Sequence, residues 1–108
     1  MPVVIDQSLF SLVQRFEAPE AKRVWTFLEK LQRDPSQPSL SLEKAVDAKS
    51  PGVWSGRISK SLRAILLKDG DNWIVVHADT HDAAYNWAAQ RRIERNAATG
   101  MLLSLIHI

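Results

Sequence analysis

The chain is 108 residues long and 45% hydrophobic, with four tryptophans and no cysteine. That is the size of one compact domain with a real core; it excludes disulfides and thiolate metal sites and points to a cytoplasmic home. The net charge is only +2, but residues 1–54 carry seven basic and seven acidic side chains and residues 55–108 seven and five, so the whole excess lies in the second half. An ordinary mixed surface and a surface facing a polyanion both fit that imbalance.

No stretch approaches the roughly 18 apolar residues of a membrane span, and the opening MPVVIDQ lacks the basic-then-apolar order of a secretory signal. Val3, Val4 and Ile5 are a β-branched run, suited to an edge strand or a packed lead-in. Leu9, Leu12, Val13 and Phe16 recur at i, i+3, i+4, i+7, one face of a helix that Asp6 or Ser8 can cap and Ala18-Pro19 ends. Pro19 suits the first turn of a second helix, with Val24, Phe27, Leu28 and Leu31 on its apolar side. Lys22, Arg23, Glu29, Lys30 and Arg33 fall mostly opposite, most simply as a solvated face, and Asp34-Pro35 stops the helix. Residues 34–41 are a loop by composition, and in 42–50 Leu42, Ala45 and Val46 suggest a helical turn before Ser50-Pro51-Gly52.

Residues 53–59 alternate as a strand with Gly56 as a bulge candidate, 62–68 form a second strand, Asp69-Gly70 marks a tight hairpin, and 73–79 form a third. An antiparallel meander with helices laid on it predicts an α+β fold in two layers. Asp82 is placed to cap a helix over 83–92, with Ala84, Trp87 and Ala88 inward. Arg91, Arg92 and Arg95 then sit at its C-terminal end, where they complement the dipole or form a phosphate-contacting patch.

Two constellations carry chemistry. His77, Asp79 and His81, with Asp82 adjacent, have the ligand types of a metal site, but no fourth ligand has a known position; a strand-end histidine and a capping aspartate explain them without metal. No metal or other cofactor is therefore expected. The second is acid–base cleavage of a phosphodiester. His81 and Tyr85 lie four apart at a helix start and have groups for proton transfer, while Arg57 and Arg63 project from neighbouring strands toward a phosphate, with Lys60 in the turn between them. Whether the two arginines share a face depends on the register at Gly56. Each also has a plain structural role open to it: Arg57 as a surface residue, Arg63 paired with an aspartate, Tyr85 in the core. There is no Gly-rich phosphate loop, no Ser or Cys nucleophile motif and no internal repeat.

Two helices followed by Trp54-Ser55-Gly56-Arg57-Ile58 and Leu62-Arg63-Ala64-Ile65-Leu66 resemble the RelE/ParE toxin superfamily over roughly residues 3–95. A closer resemblance, carried by Leu42-Glu43-Lys44, Ser61 to Ile65, Lys68-Asp69-Gly70, His81 to Tyr85 with Trp87-Ala88, and Asn96 to Gly100, is to a RelE-like domain at the front of some bacterial UvrD/Rep-type DNA helicases. This resemblance implies two N-terminal helices on a 3–4 stranded antiparallel sheet with a C-terminal helix. Its first functional expectation is a nucleic-acid-binding accessory domain in residues 1–95, followed by a tail, 96–108, whose SLIHI ending reads as truncated or non-native, with helicase domains beyond it. The alternative expectation is a free-standing RelE-type endoribonuclease acting on messenger RNA at the ribosome, with an antitoxin partner, or a ParE-like gyrase-directed toxin. By position, Arg57, Lys60, Arg63, Arg91 and Arg92 would contact nucleic acid, and Arg63, His81 and Tyr85 would be catalytic. The chain departs from RelE toxins in having fewer lysines and a lower net charge.

Overall fold

The computed structural model describes residues 3–5, 7–45, 52–70, 72–95 and 102–106, those beyond Gln90 as backbone only. Strand β1 (Val3–Ile5) leads into helices α1 (Gln7–Val13) and α2 (Ala18–Arg33). A 3-10 turn at Pro38–Leu40 and a two-residue strand β2 (Glu43–Lys44) precede the long strands β3 (Val53–Arg57), β4 (Leu62–Asp69) and β5 (Asn72–Thr80). Helix α3 (His81–Gln90) follows, and strands β6 (Arg91–Arg95) and β7 (Leu102–Ile106) pair as a separate antiparallel ribbon. The main sheet runs β1-β5-β4-β3-β2; its last four strands are antiparallel and β1 joins β5 in parallel. The α+β architecture expected from the sequence is present. No helix among the described residues is long and apolar enough to cross a membrane.

The layering differs from the two layers expected. Helices α1 and α2 cover one face of the sheet through Leu9, Val13, Val24, Phe27, Leu28 and Leu31, packed on Ala64, Leu66, Trp73 and Val75. Helix α3 covers the other face through Ala84 and Ala88, packed on Val53, Ile65, Leu67, Ile74 and Val76. The central strands are thus apolar on both sides. This explains why LRAILLK and WIVVHAD read as near-continuous apolar runs rather than alternating ones. Burying each large apolar side chain of α2 stabilises the fold by roughly 1.5–3 kcal/mol.

Strand β5 carries a bulge. Ile65 stands opposite His77 and Leu66 opposite Val75, so Val76 is an extra residue. Val76 and His77 therefore both turn toward α3: Val76 enters its core, and the His77 ring stacks on Trp87 at 4.3 Å. Val75 and Ala78 belong to the opposite core.

Several local expectations shift. Gly56 is not at a bulge; it pairs in register with Ala64. It is glycine because a Cβ there would lie 2.7 Å from Phe27 Cζ and 3.0 Å from Leu42 Cδ2. The hairpin closes at the Asp69–Asn72 pair, so Asp69 belongs to the strand rather than to the turn, and Gly70 takes a φ of +60°. Residues 43–44 are strand rather than helical turn, because they find a partner in β3; Val46 lies outside the described residues, as do Asp6 and the Asn96–Gly100 turn. Helix α3 begins at His81, so Asp82 sits in its first turn, where its charge complements the dipole, and does not cap it. It ends at Gln90, so Arg91 and Arg92 are the first residues of a strand, not a helix terminus.

Candidate active site

Arg57 and Arg63 are direct partners across β3 and β4. Residues directly opposite one another in a ladder point to the same face, so the register settles that both arginines share the α3 side of the sheet. The same logic places Glu43, Ser55, Ile65 and His77 in one row across four strands, and Arg57, Arg63 and Asp79 in the next row. Ala84 and Ala88 of α3 close over the apolar part of this face. The N-terminal turn of α3 stops short of the arginines and leaves a cleft of about 150 Å³, lined by Glu43, Ser55, Arg57, Arg63, His81 and Tyr85 among others.

Helical spacing brings His81 and Tyr85 together as expected: their rings meet edge to face at 4.7 Å. His81 Nδ1 lies 3.1 Å from Asp82 Oδ1. With Nδ1–H given to that carboxylate, Nε2 is the nitrogen left for a substrate. The Tyr85 hydroxyl lies 3.0 Å from Ser55 Oγ and donates to Glu43 Oε1 at 3.3 Å. It is committed to holding that carboxylate rather than being a loose proton donor.

Arg63 is half-buried and anchored by its own turn. Its Nη1 donates to the carbonyls of Ser59 at 2.7 Å and Leu62 at 3.0 Å, and at 3.4 Å to that of Lys60. The aspartate partner open to it in the sequence is engaged elsewhere: Asp79 accepts from the Thr80 backbone N–H at 2.8 Å and lies 3.4 Å from His77 Nε2. Among the described residues neither Arg57 nor Arg63 forms an ion pair. Two guanidinium groups therefore face the cleft with charge not cancelled by a carboxylate partner.

Lys60 sits exposed in the β3–β4 turn and does not line the cleft; its carbonyl accepts from Arg63 Nη1. The side chains of Arg91 and Arg92 lie outside the described residues. The metal-type triad does not assemble: His77 is stacked on Trp87 beside Asp79, whereas His81 leaves the strand and turns to Asp82 and Tyr85. No group of three ligating side chains converges among the described residues. Glu43 and Ser55 are cleft residues that sequence reasoning missed. Glu43 stands in a two-residue strand with no periodicity of its own, and only its pairing with Ser55 places it.

No protein-family model matches the chain, and no curated protein sequence does either. Solved structures do. A YoeB/ParE toxin from Agrobacterium tumefaciens is 22% identical, with a TM-score of 0.54, covering 75% of this chain and 99% of that one. The YoeB dimer from Staphylococcus aureus is 16% identical, with a TM-score of 0.57 and coverage of 75% and 97%. In the Escherichia coli DinJ–YafQ complex the match is 13% identical, with a TM-score of 0.51 and coverage of 75% and 93%. The chain shares the fold of these toxins. None of these three neighbours is a helicase domain, so they lend no support to the helicase link expected first.

Proposed function

We propose that the chain is a toxin of the RelE type that cleaves single-stranded RNA by acid–base chemistry in the α3 cleft. The observation that carries this reading is the direct pairing of Arg57 and Arg63 on the face that also holds Glu43, His81 and Tyr85. Two guanidinium groups clasp the phosphate and stabilise the charge that builds on it in the transition state. Glu43, held by the Tyr85 hydroxyl, takes the proton of the 2′-hydroxyl as it attacks phosphorus. His81, oriented by Asp82, gives a proton from Nε2 to the departing 5′-oxygen. The products are a 2′,3′-cyclic phosphate and a 5′-hydroxyl, with no metal in the scheme. The working site is messenger RNA on the ribosome, and the partner is a small antitoxin protein; the DinJ–YafQ complex is a toxin-fold neighbour bound in that way. The nuclease set in the cleft favours RNA over gyrase as the target.

The test is cleavage of a single-stranded RNA, with and without ribosomes, read by the appearance of cyclic-phosphate ends. Glu43→Gln and His81→Gln are each expected to slow it by about 10²–10⁴-fold, and a 2′-deoxy nucleotide at the cut should block it. No cleavage under either condition, together with unimpaired growth on expression, would overturn the reading.

A further inference from the structure

A second groove, of about 260 Å³, lies on the other side of Arg57. Its walls are α2, through Arg23, Thr26 and Lys30, and the 3-10 turn with the end of β3, through Ser39 and Arg57; Phe27 lies at its base. No lining residue is acidic. Arg23, Lys30 and Arg57 form no ion pair among the described residues, whereas Arg33, one turn on, is tied to Glu29 at 2.9 Å. Of the four cations on the basic side of α2, Arg33 is paired with Glu29, Lys22 does not line the groove, and Arg23 and Lys30 line it together with Arg57. Arg57 lines both this groove and the α3 cleft. The cleft and the groove lie on opposite faces of the sheet and meet at its β3 end, at Arg57, so a polyanionic strand held at Arg57 and Arg63 reaches the α2 groove by passing round that end. The Ser39 hydroxyl in the wall suits a phosphate or ribose oxygen, whereas that of Thr26 donates to the Lys22 carbonyl at 2.9 Å.

We propose that this groove is a second phosphate subsite, which holds the backbone of a single-stranded RNA at a nucleotide beside the one clasped in the α3 cleft. The inference rests on the RNA-cleaving reading of that cleft. It adds a length requirement: a dinucleotide fills the cleft alone, and a longer strand fills both.

The experiment compares the wild type, Arg23→Gln/Lys30→Gln and Arg63→Gln against a labelled RNA of about ten nucleotides, a length one single-strand-binding domain covers, and against a dinucleotide followed by NMR titration. Arg23 and Lys30 are exposed on a helix in which glutamine is well tolerated, so circular dichroism should be unchanged. The double variant should weaken the longer RNA by about tenfold or more. It should lower the slope of log K against log salt by about 0.7 for each phosphate that is no longer neutralised, and it should leave the dinucleotide unaffected; Arg63→Gln should weaken both ligands. An unchanged affinity of the double variant for the longer RNA, with Arg63→Gln still impaired, overturns the subsite and leaves the cleft reading standing. Equal losses for both ligands also overturn it, since they show only a general charge effect. A wild type that binds neither ligand sinks both readings. Competition by a polyglutamate peptide that depends on Arg23 and Lys30, without any RNA-length effect, overturns the subsite and assigns the groove to an acidic protein segment instead.

Discussion

Arg63 secures the turn from which it projects, and the rest of its guanidinium faces the cleft. Lysine in its place keeps the charge but loses the planar fork. Arg63→Lys is therefore expected to cost about 1 kcal/mol of stability by urea denaturation, because carbonyls lose a donor, and to reduce RNA affinity measured by anisotropy. A variant with full affinity would show that only the charge matters. Gly56 acts through shape: Gly56→Ala drives a methyl group into Phe27 and Leu42. The expected loss is about 1–3 kcal/mol in denaturant, with weaker RNA binding through the neighbouring Arg57. At this scale the elements that carry Arg57, Arg63, His81 and Tyr85 into the cleft lining were legible, since each has a clear local pattern. Glu43 and Ser55 were not: a two-residue strand exists only through its partner, and a serine on a buried strand carries no local sign of function.

The β5 bulge and the seating of α3 decide where the site residues point. Side chains alternate along a strand, and one extra residue at a bulge puts two successive side chains on the same face while those after it stay opposite their partners. Val76 is that residue. Its deletion is expected to restore strict alternation, with Ala78 still in the α1–α2 core and Asp79 still beside Arg63, and to cost about 1–3 kcal/mol in denaturant through the lost packing of Val76 under α3; a variant that loses the cooperative thermal transition altogether would rule out this account. Sequence patterning located the three long strands, α2 and α3 to within a few residues. It could not reveal the bulge, because WIVV is apolar throughout and carries no phase. Nor could it place α3 on the face opposite α1 and α2, because the strands between them are apolar on both sides.

A net charge of only +2 leaves the whole molecule with little long-range attraction for a polyanion. On the proposed reading, affinity for RNA comes from the few cations that the fold gathers. Three or four phosphate contacts predict a slope of log K against log salt of about −2 to −3, shallower than for a strongly basic binder; a salt-independent affinity would argue against phosphate recognition altogether. Composition, helical spacing and the Gly70 turn determined by themselves that this chain makes helices and a meander around one domain, because those signals are local and repeat within a few residues. Only the tertiary structure decided that Arg57 and Arg63 share a face, that Glu43 joins them, that the metal-type triad comes apart, and that α2 lends two cations to a second groove. Those facts depend on strand register and on which face each helix covers, and both are set by pairing between segments distant in the chain.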